Sequence, residues 1–201
     1  KVLAEEAKPA ASDAPPVRRL RAGGAVIVAK TNMTEFAYSG IDANPHYGTP
    51  GNPADRQRVP GGSSSGAAVA AADGMCDVAI GTDTGGSTRI PASFCSHVGF
   101  KPSRERVPTD GAFPLSYSID SIGPWATTVE ACAKADAVMA GDAWMPLDPA
   151  PLANLRVGIA QGSVLENLDA TVGKSFPRAI DRLEKAGCRL SNEKLPLLDG
   201  M

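Results

Sequence analysis

Between Pro60 and Pro102 the chain sets two glycine-serine turns, Gly61-Gly62-Ser63-Ser64-Ser65-Gly66 and Gly81-Thr82-Asp83-Thr84-Gly85-Gly86-Ser87, on either side of two apolar segments, Ala67–Ala72 and Val78-Ala79-Ile80. Glycine lets a backbone turn sharply and come close to another group, and here it does so where serine hydroxyls are presented. A flexible Gly/Ser linker has no small-residue helix and apolar strand built into it. The stretch is therefore restricted to an ordered α/β core that presents serines on tight turns, an arrangement suited to a nucleophile and its oxyanion donors.

Two readings of these serines compete. Gly62-Ser63-Ser64-Ser65-Gly66 fits G-x-S-x-G, the nucleophile elbow of α/β-hydrolases, with Ser64 as nucleophile. That scheme needs an acid and then a histidine on later strands, and the one downstream histidine, His97, stands only 33 residues on. The turn also follows a loop instead of an apolar strand, which counts against an elbow.

The second reading is a resemblance. The two serine turns, with Ala29-Lys30-Thr31-Asn32, Asn44-Pro45, Gly99-Phe100-Lys101-Pro102 and Asp120-Ser121-Ile122-Gly123-Pro124, resemble the signature of the amidase signature family of serine amidohydrolases. The resemblance implies that Ser87 is the acyl nucleophile and that Ser63, 24 residues earlier and preceded by a cis peptide bond, relays the proton. It also implies an oxyanion hole from the backbone N–H groups of Thr84, Gly85 and Gly86. The third catalytic member in that family is a lysine base in a Gly-x-Pro-x-x-x-Lys-Asp segment, and residues 1–201 contain no such segment. The resemblance thus implies that residues 1–201 are part of one amidase signature domain, truncated at both ends, with the lysine in an upstream portion. The implied activity is cleavage of a carboxylic amide through a serine acyl-enzyme, releasing ammonia or an amine, with this chain alone inactive. Two alternatives stay open: the glutaminase (A) subunit of a tRNA-dependent amidotransferase, and a non-catalytic fragment serving as a binding module. The implied partner is a small-molecule amide, with a homodimer allowed and no cofactor or metal.

Composition excludes other classes. A net charge of −2 offers no electrostatic case for nucleic acid or an anionic membrane, and no apolar run approaches a membrane span. The four cysteines, Cys76, Cys95, Cys132 and Cys188, show no metal spacing and read as reduced thiols of a cytoplasmic protein. Hydrophobic residues make up 43% of the chain and aromatics 5%, so the core is expected to be built from Ala, Val, Leu and Ile.

Along the chain, Asp13-Ala14-Pro15-Pro16 opens a helix over Val17–Ala22 closed by Gly23-Gly24, and Ala25–Ala29 is a continuous apolar run of strand length. Lys30 at its end reads as a rim lysine, and His46, in a long Gly/Pro/Asn loop, as a surface hydrogen-bonding residue. Thr34–Tyr38 reads as a short helix, and Thr88–Phe94 as a helix following the nucleophile. Asp83 is expected to cap N–H groups of its own turn, with Arg89 and Lys101 structural. Thr128 caps a helix over Val129–Ala140 whose Val129, Cys132, Ala133, Ala137 and Val138 recur at core spacing. A proline-rich connector, Asp142–Leu152, leads to a strand at Arg156–Ala160, a helix from Asp169 to Ala186 and a strand at Arg189-Leu190, a βαβ unit. The fold class is α/β, a mixed, largely parallel sheet with helices on both faces.

Overall fold

The computed structural model describes residues 5–153 and 155–198. Its contacts divide the chain into two compact units, Lys1–Pro146 and Leu147–Met201.

In the first unit, α1 (Pro15–Ala22), α2 (Ser65–Ala72), β1 (Val78–Asp83), α3 (Arg89–Phe94), β2 (Val98–Gly99), β3 (Ser121–Ala126) and α4 (Val129–Ala140) surround an open three-stranded sheet of order β1-β3-β2. All its pairings are antiparallel, with Val78 opposite Ala126, Asp83 opposite Ser121, and Val98 also opposite Ala126. Every residue of β3 is buried, as a central strand between two partners and two layers requires. One core cluster joins Ala67, Ala68, Val69 and Ala71 of α2 to Ala79, Ala92, Cys95 and Trp125; a second gathers Val107, Ile122 and Met139. Small side chains on α2 let the helix lie close to the sheet, and Trp125 fills the remaining volume.

Gly81 shows how tight that approach is. A Cβ there would stand 2.5 Å from Ser64 Oγ and 2.6 Å from two ring carbons of Trp125. Gly81→Ala is therefore expected to lower stability by about 1–3 kcal/mol, the usual range for overpacking, read as a shift of the urea midpoint. A midpoint equal to wild type would show that Trp125 can move aside.

Helix ends follow the sequence. Thr128 Oγ1 accepts Ala131 N–H at 3.1 Å, and Gly141, at φ 85, closes α4 in the left-handed conformation. In α4, Cys132 and Ala137 are buried as expected, whereas Val129 is exposed. α1 differs from expectation: Asp13 makes no cap and instead binds Arg21 Nε at 2.8 Å. Ala25–Ala29 differs more. It forms no strand, and Val26 and Val28 are 82% and 71% exposed, because no described strand lies alongside to complete a ladder. Thr34–Tyr38 gives only a 3-10 turn at Glu35–Ala37, broken by left-handed Phe36 (φ 54) and Ala37 (φ 59).

The second unit pairs β4 (Arg156–Gln161) with β5 (Arg189–Lys194) in parallel around α5 (Ala170–Lys185), the expected βαβ unit. Asp169 caps α5 by accepting the N–H groups of Thr171 and Val172 at 2.6 and 3.0 Å. Ile159, Val164, Phe176 and Ile180 line an apolar groove between strand and helix. Among the described residues no helix is long and apolar enough to cross a membrane.

Candidate active site

The first serine turn is held from three sides. Gly62 N–H donates to Gly40 O at 2.7 Å, Thr34 N–H to Ser63 O at 2.9 Å, and Gly66 N–H to Asn32 O at 3.0 Å. A Cβ on Gly66 would stand 2.5 Å from Asn32 N, so glycine is what lets the Lys30-Thr31-Asn32 segment come this close. The peptide bond between Gly62 and Ser63 is cis, as the resemblance implies. Ser63 is wholly buried, and its hydroxyl has no partner among the described residues.

Ser64 couples this turn to β1. Its Oγ donates to Thr82 O and accepts Thr82 N–H, both at 3.2 Å. A hydroxyl committed as donor and acceptor to one backbone residue is a brace, which argues against the nucleophile elbow centred on Ser64. His97, that scheme's histidine, lies with Nε2 buried and unpartnered among the described residues, and burial lowers its pKa.

β1 ends at Asp83, and its carboxylate organises the second turn. Oδ1 accepts Gly86 N–H at 2.9 Å and Arg89 Nη2 at 3.0 Å; Oδ2 accepts Thr88 N–H and Arg89 Nε, both at 3.1 Å. This is the expected capping role of Asp83, reached across the turn and supported by Arg89. Burial alone would raise the Asp83 pKa, but Arg89 and the turn's N–H groups outweigh it and hold the carboxyl below its ordinary value.

The clamp sorts the N–H groups beside Ser87. That of Gly86 is committed to Asp83, while those of Thr84, Gly85 and Ser87 have no partner among the described residues. Of the three donors expected from sequence, two are thus unengaged, and Ser87 adds its own. Sequence reasoning missed that exchange, whose signal was Asp83 three residues before Gly86. Ser87 itself is 8% exposed. Both turns also lean on Ile90 of α3: a Cβ on Gly61 would stand 3.2 Å from Ile90 Cγ2, and one on Gly86 2.8 Å from Ile90 Cδ1.

Among the described residues, the other expected ones make no hydrogen bond to either serine turn. Lys30 is exposed, His46 Nε2 meets Glu35 Oε1 at 3.0 Å at the surface, and Lys101 Nζ donates to Pro102 O. The four cysteines are free thiols, and burial pushes Cys95 up to about 11, which disfavours its thiolate.

Asp42 is a site feature that sequence reasoning missed. Left-handed at φ 58 and buried, it accepts Thr34 Oγ1 at 3.2 Å through Oδ1, while Oδ2 has no partner among the described residues. The Ser65 hydroxyl faces the same carboxyl without full hydrogen-bond geometry. Burial raises the Asp42 pKa, and the hydroxyls of Ser65 and Thr34 offset only part of that. The folded protein then holds this proton more tightly than the unfolded chain, so its stability falls as pH rises from the ordinary carboxylate value through the raised one. Asp42→Asn is expected to abolish that slope and to match or exceed wild type at about pH 7, read from urea midpoints across acidic and neutral pH. A variant that keeps the wild-type slope and lies below wild type at neutral pH would refute this.

A family model described as Amidase matches residues 2–201. The chain belongs to the amidase family. It is 41% identical over 191 residues to the A subunit of the glutamyl-tRNA(Gln) amidotransferase of Synechococcus sp. (strain RCC307), covering 89% of this chain and 39% of that protein. To the 2-amino-5-chloromuconic acid deaminase of Comamonas testosteroni it is 39% identical over 198 residues, covering 96% and 43%. A crystal structure of an amidase superposes with a TM-score of 0.86 at 41% identity, over 94% of this chain and 43% of that one. The mixed α/β fold is therefore that of amidases, and the chain spans about two fifths of the length of the curated relatives it matches.

Proposed function

We propose that this chain carries the nucleophile, relay serine and oxyanion donors of an amidohydrolase that cleaves carboxylic amides. The observation that carries the proposal is the sorting of N–H groups in the second turn, where Asp83 takes Gly86 and leaves Thr84, Gly85 and Ser87 unengaged beside the Ser87 hydroxyl. Ser87 Oγ attacks the amide carbon and passes its proton to Ser63; the developing oxyanion accepts from the unengaged N–H groups. The C–N bond then breaks, the amine leaves with a proton returned through Ser63, and water cleaves the acyl ester to a carboxylic acid. Each donor aimed at the oxyanion typically contributes about 10²–10³ in turnover.

The proton's final acceptor in this reading is a lysine supplied by polypeptide outside residues 1–201, because the Ser63 hydroxyl has no partner among the described residues and the sequence holds no Gly-x-Pro-x-x-x-Lys-Asp segment. Such a base has to be neutral, so its site must depress its pKa from about 10.4 toward 7–8, about 3–5 kcal/mol of environmental work. Residues 1–201 alone are accordingly expected to turn over amides at least about 10³-fold more slowly than a polypeptide that includes the lysine. Both units are read as parts of one catalytic domain, and the four free thiols suit a cytoplasmic setting. A second reading, ammonia release from glutamine within an amidotransferase, is favoured by the 41% identity to the A subunit of a glutamyl-tRNA(Gln) amidotransferase.

The test is intact-mass analysis after exposure to a fluorophosphonate, with residues 1–201 and a lysine-containing polypeptide side by side. One adduct per chain, absent in Ser87→Ala and formed faster when the lysine is present, is the expected result. Labelling elsewhere, or no labelling of either folded polypeptide, would overturn the assignment of Ser87.

A further inference from the structure

Asp120 belongs to neither serine turn, yet its two carboxylate oxygens serve different segments. Oδ1 accepts the hydroxyl of Thr84, three residues before Ser87. Oδ2 accepts the N–H groups of Leu115 and Ser116 at 2.8 and 2.9 Å, and the Asp120 N–H returns to Ser116 O at 3.1 Å. The next residue, Ser121, donates its hydroxyl to Asp83 O at 3.0 Å, so the entry to β3 is bonded to the second turn twice. Among the described residues, Thr84 has no other side-chain bond; its orientation depends on Asp120.

The loop that Asp120 gathers is apolar and exposed. Phe113, Leu115, Tyr117 and Ile119 alternate along it, each more than a third exposed. The Phe113 ring packs on Phe36 with centroids 5.6 Å apart and planes at 50°. Phe36 in turn follows Thr34, whose N–H holds Ser63 O. The loop is thus fastened at one end to the oxyanion turn and rests at the other on the segment that supports the first serine turn.

We propose that Asp120 is a positioning residue. By holding Thr84 and the 113–119 loop on one carboxylate, it fixes the peptide planes that present the N–H groups of Thr84 and Gly85, and it passes to them the placement of an apolar substrate group lying on that loop. The proposal rests on the assignment of Ser87 as nucleophile. The effect is of the kind that small displacements produce in a preorganised site, where an error of about 1 Å can cost about 10² in rate. The simpler role, in which Asp120 only closes its own loop, makes different predictions.

The experiment compares Thr84→Val, Thr84→Ser, Asp120→Ala and the double variant Thr84→Val/Asp120→Ala in the lysine-containing polypeptide used to test the assignment of Ser87. Two readouts are used: the rate of Ser87 modification by a fluorophosphonate, and backbone amide hydrogen exchange. Thr84→Val keeps the shape of the side chain and removes only the hydroxyl. It is expected to slow labelling about tenfold or more, with Thr84→Ser restoring the rate and the double variant no slower than Asp120→Ala alone. In Asp120→Ala, exchange is expected to quicken within 84–86 at Gly86, whose N–H is the bonded one, and in 113–117 together, while α4 keeps its protection. Wild-type labelling in Thr84→Val, or faster exchange in 113–117 with 84–86 unchanged, overturns the proposal. Should wild type itself resist labelling, the assignment of Ser87 fails, and the exchange data still decide whether Asp120 couples loop and turn.

Discussion

Replacing Asp83 by alanine is expected to destabilise the protein by about 3–5 kcal/mol and to abolish modification of Ser87. The carboxylate is fully buried and accepts N–H groups from Gly86 and Thr88 together with two nitrogens of Arg89. Removing it strands the backbone N–H groups of Gly86 and Thr88 and the longer-held one of Arg89 at 3.4 Å, each costing about 1–3 kcal/mol when unsatisfied. The Arg89 side chain is 56% exposed and can rehydrate, so its share of the loss is small. Freed from Asp83, the Gly86 N–H no longer fixes the turn that presents Ser87. The pH dependence follows from the depressed pKa. Asp83 contributes its stability above the ordinary carboxylate pKa, and that contribution is lost as pH falls through the lower, folded value. Urea midpoints of wild type and Asp83→Ala at neutral and acidic pH are the measurement, and the gap between them is expected to narrow on acidification. A variant with the wild-type midpoint and labelling would mean that the backbone alone holds the turn.

Much of this is legible in the residues, for identifiable reasons. The two turns declare themselves because glycine is needed where chain meets chain: Gly81 against Ser64 and Trp125, Gly66 against Asn32. The caps at Thr128 and Asp169 are local, so short-range sequence signals suffice for them. What eludes sequence reasoning depends on partners distant in the chain. Ala25–Ala29 has the composition of a buried strand, but a strand exists only when another lies beside it. The Thr84–Asp120 tether spans 36 residues, and the burial of Asp42 is set by the fold of the loop around it, which no spacing rule encodes. A glycine just before a serine suggests an oxyanion donor at Gly86; the geometry gives that N–H to Asp83.

Ser63→Ala is expected to separate activity from stability more cleanly than any other substitution in the site. The Ser63 hydroxyl is buried and makes no hydrogen bond among the described residues, whereas the Ser63 carbonyl accepts Thr34 N–H, a bond that alanine retains. Removing a buried polar atom that has no partner costs the folded state nothing and relieves a desolvation penalty. The urea midpoint should therefore stay level or rise. Under the proposed relay, function should move the other way, because Ser87 would hand its proton to Ser63. Amide turnover by a polypeptide that includes the lysine is expected to fall by about 10³-fold or more, as when one member of a serine relay is removed elsewhere. Ser64→Ala supplies the contrast. It deletes a hydroxyl that bridges both backbone groups of Thr82 and should cost about 1–3 kcal/mol, with a smaller effect on the acylation rate of Ser87. If Ser63→Ala instead lowers stability and leaves turnover intact, Ser63 is a packing residue, and the proton must leave Ser87 by another path.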